Sequence, residues 1–315
     1  MKPIPPNASL TTTASPARPT LAVCSIARNE ERDLPGWLAT CLRFADELVV
    51  VLDESEDSTL DLLREAKEQH GDRVRWIHHA MDPVKGFAGQ RNAGIEVVRS
   101  DWILHTDIDE RPTPELVAEI REAIRDETKN GFRYRRLNHF LHHPVRGGGW
   151  AHWNKAWLAR RGTHRFVSPL HETTEIEGGE EAIGQLEGEM WHLCDEDYVV
   201  RVHKNARYMQ GSGQKILARG IRVRWYHMLL HPGWKAVKAY TVQGGWRDGT
   251  QGFLHAIYTF TSVFNWWAYA WSVQNHVPRE HLEQSLREDW SHAPRFLPHP
   301  TNVPSRSETR LSESR

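Results

Sequence analysis

Residues Arg99–Leu116 read RSDWILHTDIDERPTPEL, an apolar run that ends in acids. Trp102, Ile103 and Leu104 have the pattern of a buried strand, and Asp107, Asp109 and Glu110 crowd its end. Carboxylates so close together repel unless something positive sits among them. A divalent cation meets that need. Asp107-Ile108-Asp109 is a DxD, and two such carboxylates at a strand end can jointly hold Mg2+ or Mn2+, hard ions that prefer oxygen and bridge to a diphosphate. The competing explanation is that the acids cap the next helix. Thr113, Pro114 and Glu115 already supply that helix start, which leaves the DxD unexplained by capping.

Upstream, LAVCSIARNEE (Leu21–Glu31) is a short apolar strand running into a polar loop. A helical segment, LPGWLATCLRFA, leads to a second strand, ELVVVLDES, and an amphipathic helix, STLDLLREAKEQH, leads to VRWIHHA. This alternation predicts a parallel sheet covered by helices, in which ligands sit beyond the carboxyl ends of the strands. The polar residues there are Arg28, Asn29 and Glu30 after the first strand, Asp53 after the second, and Asp107 to Glu110 after a later one. Beyond about Asn130 the pattern changes to aromatic and histidine-rich runs and then to a long basic stretch. The expected organisation is a disordered leader (1–19), a nucleotide-binding half (20–130), an acceptor-side and catalytic half (131–200), a basic, aromatic-rich extension (201–293) and a disordered tail (294–315).

Composition narrows the classes. The chain has 315 residues, 39% of them apolar, enough for a real core, and its net charge of -1 speaks against binding nucleic acid through bulk charge. Cys24, Cys41 and Cys194 are scattered, with no CxxC spacing, so neither a disulfide framework nor a cysteine zinc site is expected and a reducing cytoplasm fits best. Residues 1–19 lack the sustained apolar run of a signal peptide or anchor. The most apolar window, AIYTFTSVFNWWAYAWSVQN, is broken by Thr, Ser, Asn and Gln.

The ordered motifs ARNEE (Ala27–Glu31), VVVLDESEDST (Val49–Thr59) and GFAGQRNAGIEVVRSDWILHTDIDE (Gly86–Glu110) resemble glycosyltransferase family 2, whose members have the GT-A fold and use nucleotide-sugar donors. SPLHETTE, MWHLCDEDY and GGWRDGTQGF further resemble the branch that includes lipopolysaccharide-core β-1,4-glucosyltransferase-like proteins, so the likeness runs from about Leu21 to Gln274. It implies an α/β fold: a mostly parallel GT-A-type sheet covered by helices, with a Rossmann-like nucleotide half, an acceptor-side half and a helical C-terminal extension. It implies that Glu30 and Asp53 contact the base and ribose, that Arg91 lies near the donor, and that Asp107 and Asp109 bind metal. The stretch LDESEDST departs from the family's commoner VDSGSTDGT, placing Glu56 where small residues are usual.

Sugar transfer needs the leaving diphosphate neutralised, which a cation can do, and an inverting enzyme needs a base for the acceptor hydroxyl. Glu172 matches the family's His-Glu dipeptide and is the candidate base, with His171 orienting it or touching phosphate; Asp195, Glu196 and Asp197 compete. His192 matches a late histidine that completes the metal shell in several relatives, although a lone His between Trp191 and Leu193 is as often a core residue.

Other readings have less support. His139, His142 and His143 are closely spaced, but without cysteines or HExxH they give at most an incomplete zinc site. No P-loop, dinucleotide fingerprint or GxSxG elbow occurs. Fourteen tryptophans would suit a non-catalytic carbohydrate- or nucleic-acid-binding module, which would have no use for a metal-diphosphate site. The expected function is therefore a metal-dependent inverting transfer of a hexose from a nucleotide-diphosphate sugar, with UDP the family's commonest nucleotide, to a glycan or glycolipid acceptor in cell-surface polysaccharide synthesis. Nucleic acid is not an expected partner. Between Asp197 and Asp248 there is no acid, and ten Lys and Arg residues lie among aromatics that favour a water-lipid boundary, which predicts contact with an anionic membrane or a lipid-linked acceptor on the cytoplasmic side.

Overall fold

The computed structural model describes residues 18–150, 153–168, 172–195 and 197–293. The chain opens with β1 (Leu21–Ala27), α1 (Leu34–Cys41), β2 (Glu47–Leu52), α2 (Thr59–His70), β3 (Val74–His78), α3 (Gly86–Val97) and β4 (Trp102–Thr106). All of β2, ELVVVL, is buried, as befits a parallel strand with both faces covered. Parallel pairing joins β3, β2, β1 and β4 in that spatial order.

Next come β5 (Glu110–Pro112), α4 (Pro114–Ala123), β6 (Gly131–Phe140), β7 (His143–Val145), β8 (Asn154–Arg160), β9 (His164–Val167), β10 (Thr173–Ile176) and β11 (Ile183–Asp195). They extend the sheet to nine strands in the order β3-β2-β1-β4-β8-β6-β11-β5, with β7 on β6 and a separate β9–β10 ribbon. Here the sheet becomes mixed: β8 is antiparallel to both β4 and β6, while β6 and β11 are parallel. The Thr113 side chain caps α4, accepting from the Leu116 N–H at 3.2 Å.

The fit of α3 on the sheet is set by one residue. A Cβ at Gly94 would lie 2.6 Å from Cys24 Sγ and 2.9 Å from Val51 Cγ2, so only glycine lets the helix rest directly on β1 and β2. Two residues earlier, Asn92 exchanges hydrogen bonds with the backbone of Phe166 in β9, donating at 2.9 Å and accepting at 2.8 Å. The helix is therefore held from both sides.

The chain ends in α5 (Tyr198–Ala218), α6 (Trp225–Tyr240), α7 (Gly249–Gln274) and α8 (Arg279–His292). Ile216, Val223, Val263, Trp267 and Ala270 form a small core among the first three. The Gly147–Gly149 run joins this layer to the sheet: the Gly147 N–H donates to Asp248 Oδ2 at 2.7 Å, the Gly148 N–H to the Gln243 carbonyl at 3.0 Å, and a Cβ on Gly147 would stand 2.5 Å from the Gly244 oxygen. No helix among the described residues is long and apolar enough to cross a membrane.

Gly94→Val should lift α3 and destabilise the fold by about 1–3 kcal/mol, the usual cost of overpacking a tight core. Thermal unfolding measures it, and an unchanged melting temperature would refute the close-approach account.

Candidate active site

Two loops at the carboxyl ends of β1 and β2 are laced together. Asn29 takes a left-handed backbone (φ 56°), and its side-chain oxygen accepts from the Glu56 N–H at 2.8 Å. The Glu30 N–H donates to Thr59 Oγ1 at 2.7 Å, and the Glu31 N–H to Asp57 Oδ2 at 3.0 Å. Glu56 is held by its backbone and its side chain is exposed, so the unusual acid in this loop does not fill the site. Asp53 is buried, accepting from the Glu54 and Met81 N–H groups at 2.9 and 3.1 Å, with Arg28 3.6 Å away.

The DxD lies in a turn just beyond β4 rather than within a strand. The Glu110 N–H donates to the Asp107 carbonyl at 3.1 Å, and Glu110 Oε2 accepts from the Asp107 N–H at 3.0 Å. Ile108, between the two acids, is buried and anchors the turn. Arg111 braces it from outside, donating to the Ile108, Glu110 and Asp33 carbonyls at 2.6–2.7 Å. Of the three acids, Glu110 is thus structural: it is fully buried, pairs with Arg136 at 3.2 Å, and burial and then Asp107 push its carboxyl up to about 7.

Arg91 is the hub. Its side chain is 2% exposed, and its guanidinium lies over Trp157 at 4.2 Å and Phe166 at 5.5 Å. It pairs with Asp107 on one side and with Glu172 Oε1 at 2.9 Å on the other. Burial would raise the Glu172 carboxyl, but the charge and hydrogen bond of Arg91 hold it below the ordinary carboxylate value, so Glu172 is ionised at neutral pH.

Asp109 faces His192. Asp109 Oδ2 and His192 Nε2 are 3.1 Å apart, and His192 Nδ1 is 2.7 Å from Asn138 Oδ1, which fixes the ring. Burial opposes protonation of His192, yet the hydrogen bond and charge of Asp109 raise it to about 10. Glu30, half-buried nearby, is pushed up to about 8 by burial and then by Asp109, Asp33, Asp107 and Asp57. Carboxyl groups thus crowd this rim, and a carboxylate oxygen and an imidazole nitrogen meet at one point. Asp109 and His192 are the residues that would hold a hard divalent cation here, since both donor types are acceptable to Mn2+. Among the described residues no group of three or more His, Cys, Asp or Glu side chains is arranged as a metal cage.

The structure brings Glu30, Arg91, Asp107, Asp109, Glu172 and His192 to one rim and sets Asp53 in the adjoining loop. His171, Glu196 and the side chain of Asp195 lie outside the described residues. Asp197 caps α5, accepting from the Val200 N–H at 2.8 Å. Arg136, Asn138 and Arg111 also belong to the site and escaped the sequence, because strand-borne arginines and asparagines carry no motif.

Residues 22–174 match the family model for Glycosyl transferase family 2. A protein of Rhizobium meliloti (strain 1021) named "Lipopolysaccharide core biosynthesis glycosyltransferase LpsC" is 26% identical over 247 residues, covering 75% of this chain and 86% of its own. An uncharacterized glycosyltransferase of Rickettsia typhi is 22% identical over 246 residues, 74% of this chain and 80% of that one. Among solved structures, glucosyl-3-phosphoglycerate synthase from Mycobacterium tuberculosis, in complex with Mn2+, UDP and glucosyl-3-phosphoglycerate, is 15% identical over 56% of this chain and 73% of that one, with a TM-score of 0.39.

Arg91→Met strands two carboxylates in a site built for their counter-ion and should cost roughly 3–5 kcal/mol at neutral pH. The Glu172 carboxyl is lowered in the folded state, so its pairing stabilises above the unfolded value of 4.5 and is lost as pH falls through the lower folded value. The deficit of the variant should therefore shrink in acid, and Arg91→Lys, lacking the planar fork, should not restore stability. Urea unfolding at several pH values checks this, and a deficit independent of pH would refute it.

Proposed function

We propose that this chain, whose residues 22–174 make it a glycosyltransferase of family 2, moves a hexose from a UDP-sugar to a glycan or glycolipid acceptor with inversion at the sugar carbon. One observation carries the proposal: Asp109 and His192 converge beside the Arg91–Asp107 pair, on a rim crowded with carboxyl groups at the carboxyl ends of parallel strands. Asp109 and His192 would hold Mn2+ or Mg2+, which when bound neutralises charge developing on the leaving diphosphate. Asp107, engaged by Arg91, faces the donor with Glu30 and Asp53. Arg91, always charged, orients Asp107 and Glu172 together. The lipopolysaccharide-core role in the name of the Rhizobium relative supports a cell-surface glycolipid acceptor.

Glu172 is the proposed base. Its pairing with Arg91 keeps it ionised, ready to take the acceptor's proton, at some cost in basicity. With UDP-hexoses and Mn2+, Asp109→Asn should abolish turnover while the fold persists. Glu172→Gln should lower kcat by roughly 10²-fold or more with donor affinity retained, as loss of a base does. A folded Asp109→Asn with full turnover sinks the metal assignment. If Glu172→Gln instead weakens donor binding and spares kcat, Glu172 positions Arg91 and the base lies elsewhere.

The helical layer supports a site of action at the cytoplasmic face of an anionic membrane. At about 100° per residue, Trp225, Tyr226, Leu229, Leu230, Trp234 and Val237 share one half of the α6 surface, and all are exposed. Arg222 and Arg224, just before the helix, and Lys238, near the edge of that half, are exposed and basic. Each such residue contributes on the order of 1 kcal/mol near an anionic surface. The chain should co-sediment with anionic but not neutral vesicles, salt should weaken it, and Leu230→Glu with Trp234→Glu should abolish it without lowering the melting temperature. Equal, negligible sedimentation with both vesicles would end the membrane proposal.

A further inference from the structure

Beside His192 lies a cavity of about 420 Å³. It is built by the second half of the chain: Arg136 and Asn138 of β6, Trp150 and Trp153, His192 of β11 and Arg201 of α5 line it. Its described lining contains no carboxylate. The acids lie behind this lining: Arg136 is 3.9 Å from Asp107, and His192 is 3.1 Å from Asp109.

The two arginines are held rather than free to swing. The Arg201 guanidinium lies 4.2 Å from the Tyr258 ring centre and 4.7 Å from that of Trp150. Arg136 lies over Trp153 at 4.6 Å and pairs with Glu110 at 3.2 Å, while its Nε is buried with no hydrogen-bond partner among the described residues. Planar guanidinium groups fixed in this way present forks suited to carboxylate or phosphate oxygens. Trp150 and Trp153 add aromatic faces of the kind on which sugar rings stack. The volume falls within the range of pockets that take a small ligand, and it opens directly beside the reaction rim.

We propose that this cavity is the acceptor subsite and that it selects an acceptor sugar bearing a carboxylate or phosphate, which Arg201 and Arg136 bind while Trp150 and Trp153 flank the ring. This deepens the transferase reading and rests on it for the word acceptor. The donor diphosphate is a second possible source of anionic oxygens. His192, which with Asp109 would hold the cation of that diphosphate, also lines the cavity, so competition with UDP separates the two sources.

Direct binding to the full chain tests the proposal, with glucose 6-phosphate, glucuronate and glucose as probes, each measured calorimetrically with and without UDP and Mn2+. The two anionic sugars should bind at least tenfold tighter than glucose, and UDP with Mn2+ should leave that preference intact. Arg201→Ala should abolish the preference while UDP binding persists, and Arg201→Lys should keep part of it; circular dichroism melting of each variant shows that it is folded. The proposal is overturned if the wild-type chain binds the three sugars alike or not at all, if UDP displaces the anionic sugars, or if Arg201→Ala retains the preference. Failure to bind or hydrolyse any nucleotide sugar would instead count against the transferase reading, since the preference for anionic sugars is read without a donor.

Discussion

A single buried guanidinium joins the parts of this molecule that meet at the cleft. Arg91 comes from α3, Asp107 from the turn after β4, and Glu172 from the segment leading into β10. A charge removed from water is tolerable only when paired and hydrogen-bonded, and Arg91 has a carboxylate on either side and aromatic rings on its faces. Its neighbours in GQRNAG each serve the same placement. Gln90 donates to the His79 carbonyl at 3.1 Å, Asn92 clamps the Phe166 backbone, and Gly94 lets the helix approach β1 and β2. The motif is a mounting for one side chain, and any disturbance of α3 reaches both halves of the cleft through it.

Acids and arginines meet across the cleft. On the side of the parallel strands, acids crowd until Glu30 holds its proton up to about 8, burial being the largest cause and Asp109 the next. On the side of β6, β11 and α5, arginines stack on aromatic rings. His192 sits at the junction, touching Asp109 and lining the cavity. On the transferase reading, the acids would hold the cation of a leaving diphosphate and the arginines would receive a charged acceptor.

Much of the first half was legible because its signals are local. Continuous burial in ELVVVL, the helix start at Thr113 and the polar ends of β1, β2 and β4 follow from periodicity and capping, and the family match covers this half. The second half was less legible because its order comes from long-range pairing. The antiparallel insertion of β8 between β4 and β6 joins residues far apart in sequence, and no run of residues announces it. The same holds within the site. Asp107 and Asp109 were visible as a pattern, whereas the role of Glu110 as the lock of the turn depends on Arg136 from a different strand. Glu56 looked like an intrusion because the sequence gives its type but not its direction, and in the fold it faces outward.

The helical layer connects chemistry to location. α5 delivers Arg201 to the cavity near its first turn, and α7 supplies the Tyr258 ring beneath that guanidinium. The inner edge of α6 meets the same α7: His227 stacks on Trp267 at 4.9 Å, and Trp267 Nε1 donates to His231 at 2.9 Å. That packing consumes one side of α6 and leaves Trp225, Leu229, Leu230 and Trp234 outside, a row too apolar and too continuous to be indifferent to water. On the membrane reading, a lipid-linked acceptor and the enzyme share one surface, so a modest affinity in the cavity suffices, because confinement raises the effective concentration of the acceptor. Specificity then falls to the arginines and stable placement to α6. One layer of helices packed on α7 can supply both because its inward and outward faces carry opposite kinds of side chain.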